Sequence, residues 1–458
     1  MATADVAGDD LLRRAGEQLR AIPEGAPVRL RKRTSNLFRD RASTQQLLDL
    51  SGFDGVRSVD AERRRAIVGG LTTYEDLAAA TLAHGLVPLC VPQLRTITLG
   101  GAVTGVGIEA ASFRNGVPHE SVTAMEILTG TGEVVRATPD NEHADLFFGF
   151  PNSYGSLGYA LLLEIELEPV EPYVALRHLH LAGPGEAAPI IADVVATRQY
   201  DGQSVDYLDG TVFGPRDIVL TLGRYSASAD REPSEYTGQQ IYYRSLQRRS
   251  TDLLTVSDYL WRWDTDWFWC SRALGAQHPV VRRLWPKRYL RSDAYWRIVA
   301  LERRSDAANR VRRLRGTPLR ERVIQDIEVP LERLSEFLEF FHREVGILPV
   351  WLCPLRQRDP TVRWPLYELD PRAVYVNVGF WSSVAREGGG DPADGRVNRL
   401  IEAEVTLLGG KKSLYSTAYY GPEEFDRLYG GREYAALKHR YDPGGRFADR
   451  YDKCVMQA

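Results

Sequence analysis

Four glycines stand within eight positions of the run Gly100-Gly101-Ala102-Val103-Thr104-Gly105-Val106-Gly107, and β-branched residues flank and interleave them. Glycine has no Cβ, so its backbone can approach a ligand closely and can take positive φ. Successive amide N–H groups in such a segment form an anion-binding concavity. That chemistry suits a cofactor carrying phosphates, and the segment reads as a loop that cradles one. Two arrangements of a nucleotide fit the spacing. Gly105-Val106-Gly107-Ile108-Glu109-Ala110 matches GxGxxA, the dinucleotide fingerprint of a βαβ unit, with Glu126 near the acidic position. That fingerprint requires its last glycine to open a long helix, and Asn115, Gly116 and Pro118 break any helix within two turns. The other arrangement, which the break favours, lays the nucleotide between two small α+β halves with its pyrophosphate on loops.

The elements that must position this segment follow from periodicity. Residues 9–22 read as an amphipathic helix before Pro23, and residues 28–33 alternate as a strand. Val56, Val59, Ile67 and Val68 mark a hairpin over 54–69. Thr73 caps a helix over 74–84, with Glu75 and Asp76 in its first turn, and Gly85 ends it. Residues 121–135 form a second hairpin around Gly130-Thr131-Gly132. After the short apolar element 146–150, a second glycine turn, 153–158, feeds a strand over 160–167. Pro169 and Pro172 place a border near 172. Beyond it, 226–240 and 386–396 read as loops. Leu331, Leu334, Phe337, Leu338 and Phe341 have helical spacing, and the C-terminal stretch is helical in part. At 458 residues two domains are expected, 1–172 and 173–458, both α+β.

Composition narrows the function classes. The chain is 43% hydrophobic and 26% charged, with no run of eighteen apolar residues and no apolar signal core in its first twenty positions. A cytoplasmic protein is expected. Cys90, Cys270, Cys353 and Cys454 lie far apart, which argues against a disulfide framework, and no metal site is read. The net charge of −3 hides an asymmetry: residues 282–322 hold fourteen Lys/Arg against four acids, threaded with Trp285, Tyr289, Tyr295 and Trp296. Such a stretch is either a solvated face or one that lies on an anionic membrane at its inner surface. No nucleic-acid motif accompanies the charge. Trp261, Trp263, Trp267 and Trp269 fall within nine residues, on one strand face or around one helix turn, and favour a lipid over a sugar as ligand.

Several blocks, in order along the chain, carry a resemblance. Thr98-Leu99-Gly100-Gly101, Gly105-Val106-Gly107-Ile108-Glu109, Ala124-Met125-Glu126-Ile127-Leu128, Ser156-Leu157-Gly158, Gln325-Asp326-Ile327-Glu328-Val329-Pro330, Val350-Trp351-Leu352-Cys353-Pro354, Leu414-Tyr415 with Tyr419, Glu423-Glu424-Phe425 and Tyr451-Asp452-Lys453 are similar to the desmosterol (sterol side-chain) reductase-like branch of the vanillyl-alcohol-oxidase-type FAD-binding superfamily. The runs 150–155 and 261–270 resemble actinobacterial members that act on fatty acyl chains in making tuberculostearate-type methyl-branched lipids. The resemblance implies a two-part FAD-binding domain of the PCMH type. It also implies an α+β substrate or cap domain whose C-terminal segment returns toward the flavin. No membrane anchor like that of the animal sterol enzymes is read, which disfavours a sterol. No His or Cys stands in 100–107, so FAD is expected to be non-covalent.

The residues that the resemblance and the glycine chemistry assign to FAD are Arg33, Thr34, Ser35, Asn36, Pro92, Thr98, Leu99, Gly100, Gly101, Gly105, Gly107, Ile108, Ser112, His119, Ser121, Val122, Gly155, Gly158 and Ile165. The implied reaction is reduction, with NADPH, of an isolated carbon–carbon double bond, such as the methylene branch of a fatty acyl chain. Such an alkene needs a proton donor beside the flavin, and the candidates are Tyr415, Tyr419, Glu109 and Cys353. Three rival readings stay open: a sterol side-chain reductase, a sugar or lactone oxidase on the same scaffold, and a non-catalytic flavin-binding partner of a lipid methyltransferase.

Overall fold

The computed structural model describes residues 2–34, 38, 46–305, 307–386 and 391–456, with side chains described outside 2–8 and 302–308. Two antiparallel sheets dominate, and the chain builds them one after the other. A helix, α1 (Ala2–Ala21), and a short parallel pair, β1 (Val28–Leu30) with β2 (Gln46–Leu48), precede the first sheet. That six-stranded sheet joins β3 (Val56–Asp60), β4 (Arg65–Gly69), β5 (Leu86–Pro88), β6 (Val122–Leu128), β7 (Val134–Ala137) and β8 (Tyr159–Pro169). β8 is its spine, pairing with β4, β5 and β6. Leu161, Leu163, Ile165 and Leu167 recur every second residue of β8 and are all buried, as the two-residue period of a strand requires. Helix α2 (Tyr74–Leu82) packs on β5, and its N-cap, Thr73, accepts from the Asp76 amide at 3.2 Å.

The second sheet has eight strands in the order β14-β9-β13-β12-β16-β17-β15-β18. They are β9 (Tyr173–Leu181), β12 (Tyr207–Gly214), β13 (Asp217–Ser226), β14 (Thr251–Thr255), β15 (Arg320–Pro330), β16 (Val350–Leu355), β17 (Tyr375–Ala385) and β18 (Lys411–Lys412); a small hairpin, β10 (Gln199–Tyr200) with β11 (Gln203–Ser204), stands apart. One face carries Val323, Ile327, Val329, Val350, Leu352, Val376, Val378 and Phe380. These pack in one core with residues of the helices Pro184–Thr197, Leu334–Glu344 and Arg396–Leu407. The opposite face carries Asp326, Trp351, Cys353, Asn377, Gly379 and Trp381. It looks back toward the first sheet, where a core of both halves includes Trp351 and Cys353.

Two segments differ from their sequence reading. The glycine run is a short helix, α3 (Leu99–Gly105), because Thr98 caps it through the Gly101 amide (3.2 Å). None of Gly100, Gly101, Gly105 or Gly107 has positive φ; Val106 does, at 54°, and closes the helix. The tryptophan segment is neither one strand nor one helix turn. The helix Val256–Trp261 gives way to a 3₁₀ turn, Asp264–Asp266, and then Trp267 and Phe268 both take left-handed backbone (φ 45° and 58°). Buried acceptors fix that turn: Asp266 takes Ser271 and Arg282, and Asp264 takes Ser292 and the Arg95 amide.

Candidate active site

A cavity of about 300 Å³ is lined by residues of both sheets. On one side it is built from backbone. Gly100 donates its amide to the Gly70 carbonyl at 3.0 Å, and a Cβ on Gly100 would stand 2.8 Å from that oxygen. A Cβ on Gly70 would stand 2.0 Å from the Ala160 carbonyl oxygen, which no side chain tolerates. A Cβ on Gly107 would stand 3.2 Å from the Pro92 ring and 3.3 Å from the Pro118 ring. These glycines thus serve close packing of α3 on the sheet rather than unusual dihedrals. The Gly100 and Gly101 amides are both engaged within the chain, by Gly70 and Thr98.

Cations complete this side. Lys32 Nζ donates to Thr98 Oγ1 at 3.1 Å beside Gly101, and a Cβ on Gly101 would lie 3.4 Å from that ammonium. Lys453, from the C-terminal segment, donates to the Gly155 carbonyl at 2.7 Å, and Arg29 lines the same space. The Tyr154 hydroxyl donates to the Gly105 carbonyl at 3.0 Å and ties the second glycine turn to α3. Glycine packing with two lysines and an arginine at hand fits a nucleotide pyrophosphate.

The other side is built from side chains. Phe38, Trp267, Phe268, Trp351, Trp381 and Tyr415 line it. Phe268 stacks on Trp381 with centroids 4.5 Å apart, and Phe38 stacks on Trp267 at 5.4 Å. Asp326 stands among these rings. Asn377 Nδ2 donates to Asp326 Oδ1 at 3.3 Å, and the Tyr415 hydroxyl bonds to the Asp326 carboxyl while accepting from Trp381 Nε1 at 2.7 Å. Burial pushes the Asp326 carboxyl up to about 7, against the opposing pull of its Asn377 and Tyr415 hydrogen bonds, and burial lifts the Tyr415 hydroxyl far above its ordinary range. Gly379 faces Asp326 across the β15–β17 ladder, and a Cβ there would lie 2.3 Å from Asp326 Oδ1. A carboxyl that keeps its proton to neutral pH, held in an aromatic pocket, is chemically a proton donor.

Of the residues singled out from the sequence, Thr34, Pro92, Thr98, Gly100, Gly101, Gly105, Gly107, Ile108, Gly155, Gly158 and Tyr415 line the cavity. Ser35 and Asn36 lie outside the described residues. Arg33 is instead paired with Asp54 at the surface. Leu99, Val122 and Ile165 are core residues of α3, β6 and β8. Ser112 Oγ accepts from the Glu109 amide at 3.1 Å, and Ser121 Oγ donates to the Pro118 carbonyl at 2.7 Å, so both hold turns rather than line the cavity. His119 is buried edge-on against Trp364 at 4.4 Å, and burial drives its imidazole down to about 3, so it is neutral. Glu109 and Cys353 are buried away from the lining. Burial raises the Glu109 carboxyl to about 7 and the Cys353 thiol well above its usual value. Tyr419 sits outside, its carbonyl taken by Arg399 at 2.7 Å and its ring under that guanidinium.

Sequence reasoning missed Lys32, Gly70, Lys453, Asp326, Asn377 and Trp381. A signal for Asp326 was present: Asp326 and Glu328 are acids that alternate with Ile327 and Val329, which puts both on one face of a strand. Glu328 faces Tyr367, which donates to it, and burial pushes that carboxyl to about 8.

Residues 17–138 match the FAD binding domain family model. The chain is 26% identical over 436 residues to the Delta(24)-sterol reductase of Arabidopsis thaliana, covering 89% of this chain and 76% of that protein. It is 25% identical over 425 residues to the Delta(24)-sterol reductase of Homo sapiens, covering 88% and 76%. A shorter similarity, 29% over 172 residues, links 37% of this chain to 30% of cytokinin dehydrogenase 10 of Oryza sativa subsp. japonica. The glycine-packed, cation-bearing side of the cavity falls largely within the matched segment, and the similarity to the reductases runs through both sheets. This chain is an FAD-dependent oxidoreductase.

Proposed function

We propose that this protein uses NADPH to reduce an isolated carbon–carbon double bond in a lipid, and that the lipid is a fatty acyl chain with a methylene branch, converted to the methyl-branched product. The observation that carries the reaction class is Asp326, a carboxyl that burial keeps protonated to near pH 7, set among six aromatic side chains. The likeness to sterol Δ24-reductases supports a double bond as the target. The narrower acyl substrate rests on the resemblance of 150–155 and 261–270 to the actinobacterial enzymes.

FAD would be held non-covalently in a two-part domain of the PCMH type, with Lys32 and Lys453 beside α3 available to its pyrophosphate. When bound and reduced, it supplies a hydride. An isolated alkene has no carbonyl to draw that hydride, so the chain itself must make one carbon electron-poor. Asp326 gives its proton to the less substituted alkene carbon, forming a C–H bond and leaving positive charge on the other carbon. Tyr415 and Asn377 hold the carboxyl in place, and Trp381 fixes Tyr415. The faces of Trp267 and Phe268 stabilise the developing charge, each by about 2 kcal/mol at a desolvated site. The aromatic walls exclude water, which would otherwise capture the cation. Asp326 regains its proton from solvent, so one turnover consumes one hydride and one proton.

The test is anaerobic. NADPH should bleach the flavin absorbance of the purified protein, and a methylene-branched phospholipid should restore it with formation of the methyl-branched lipid. Restoration by desmosterol and not by the acyl lipid would make the protein a sterol reductase. Bleaching by a sugar or lactone and not by NADPH would make it an oxidase. Bleaching by neither would leave a non-catalytic partner, such as one that serves a lipid methyltransferase.

A further inference from the structure

The helix Ser292–Ser305 has two apolar sides. Its inner side supports the cavity wall. The Tyr295 hydroxyl donates to the Thr265 carbonyl at 3.0 Å, and the Trp296 ring lies 5.3 Å from Phe38 and 6.4 Å from Trp267, both of which line the cavity. Its outer side presents Ile298 and Leu301 to solvent, with Leu301 70% exposed. A buried helix face needs no second apolar stripe.

The neighbouring segments share this character. Leu284 on the helix Pro279–Leu284 is 78% exposed, and Leu314 at the end of the helix Ala307–Leu314 is 88% exposed. Tyr289 and Val311 are exposed as well. Among the described residues, eight of the thirteen exposed large hydrophobics fall between 280 and 314, so they are concentrated rather than scattered. Arg283, Lys287, Arg288, Arg297, Arg310 and Arg313 are exposed between them. From 282 to 315 the sequence holds twelve Lys/Arg against Asp293, Glu302 and Asp306, and Asp293 is bonded to Arg291 at 2.7 Å. The surplus stands on a chain whose net charge is −3.

Charge alone would suit any polyanion. Leucines standing out among arginines suit only a partner that is anionic at its surface and apolar just beneath. We propose that residues 280–301 and 309–315 dock this protein on an anionic phospholipid bilayer, the arginines against headgroup phosphates and Leu284, Leu301 and Leu314 in the acyl boundary. Docked so, the helix Ser292–Ser305 places lipid on the far side of the layer that backs the aromatic wall. The proposal does not depend on the double-bond reading, because vesicle binding requires neither NADPH nor turnover.

The experiment is sedimentation of the full-length holoprotein with sucrose-loaded vesicles, either pure phosphatidylcholine or phosphatidylcholine with about 30% phosphatidylglycerol. The partition coefficient should be at least tenfold higher on the anionic vesicles and should fall as salt rises to about 0.5 M. The double variant Leu284→Asp with Leu314→Asp should lose about tenfold in binding, as should Arg310→Glu with Arg313→Glu. Both should keep their circular dichroism and flavin content, because the altered side chains touch solvent. Equal binding to neutral and anionic vesicles would overturn the proposal, as would a wild-type protein left in the supernatant or variants that bind like wild type. If instead the leucine variant turned a dimer into a monomer in sedimentation velocity, the face would belong to a second copy and the proposal would fail.

Discussion

The two sides of the cavity are built on opposite principles. The side near α3 is made of backbone: Gly70 and Gly100 let main chains meet at distances that exclude a Cβ. The side near β15 and β17 is made of side chains: a carboxyl, a phenol, an amide and indoles hold one another through hydrogen bonds and stacking. Backbone packing fails all at once when an atom is added. A side-chain network fails one bond at a time and changes chemistry before it changes shape. Substitutions on the two sides should therefore separate flavin retention from turnover.

The largest effect should come from Gly70→Val, which drives a methyl-bearing carbon to within 2.0 Å of the Ala160 carbonyl on the sheet's central strand. Neither partner can move without breaking β8, so the variant should be recovered unfolded or colourless; flavin absorbance and circular dichroism measure this. Gly105→Ala is the internal control. Its Cβ would meet the Tyr154 ring at 3.4 Å, an ordinary contact, and its φ is not positive. It should keep its flavin. If both variants kept full colour, the backbone-built side would not be what holds the cofactor.

Next in size is Asp326→Asn. The amide fills the same space, so flavin content and bleaching by NADPH should persist. The lipid-dependent reoxidation should slow by about 10²–10⁴-fold, the usual contribution of general acid catalysis. Stopped-flow absorbance follows the two half-reactions separately. A variant slowed equally in both would assign Asp326 a structural role and move the proton donor elsewhere.

Part of this was legible in the sequence and part was not. The hairpin about Gly130-Thr131-Gly132, the Thr73 cap and the second glycine turn follow from neighbouring residues, and the structure has them where periodicity put them. The FAD-binding domain was legible through the resemblance carried by blocks such as 98–101, 105–109 and 156–158, since the glycines alone left two arrangements of a nucleotide open. The helical form of α3 was not, because it depends on Thr98 turning its hydroxyl to the Gly101 amide and on Gly70 lying thirty residues upstream. The acid-bearing side depends on registers across β15, β16 and β17, which place Asp326 opposite Gly379 and Gly379 opposite Trp351. No local pattern encodes such a pairing. The tryptophans misled because spacing cannot foretell two consecutive left-handed residues, which buried carboxylates at Asp264 and Asp266 hold in place.

A smaller effect, with a definite sign, comes from pH. The lipid half-reaction needs protonated Asp326, so its kcat/KM should be level below about pH 7 and fall tenfold per unit above it. Stability follows the same group. Its folded value of about 7 lies above the unfolded value of about 3.9, so the folded state binds more protons across that window. Stability therefore falls as pH rises from about 4 to about 7. Asp326→Asn removes the titration, so its melting temperature relative to wild type should move upward between pH 5 and pH 8. A constant difference would mean that the carboxyl is ionised throughout and cannot be the acid.

The smallest effect should be Trp381→Phe. The ring that stacks on Phe268 is largely kept, and what goes is the Nε1–H donor to the Tyr415 hydroxyl at 2.7 Å. A net hydrogen bond of about 1 kcal/mol corresponds to roughly a fivefold change in rate. The loss should fall on kcat of the lipid half-reaction, with flavin binding and NADPH bleaching unchanged. Because Tyr415 then has one partner instead of two, it can still serve Asp326, and the pH midpoint should move only slightly. Removing that partner as well, in Trp381→Phe combined with Asp326→Asn, should cost no more than Asp326→Asn alone, since an indole that acts through Tyr415 on the carboxyl has nothing left to position. Additive losses would instead mean that Trp381 meets the substrate directly, through the face it turns to the cavity.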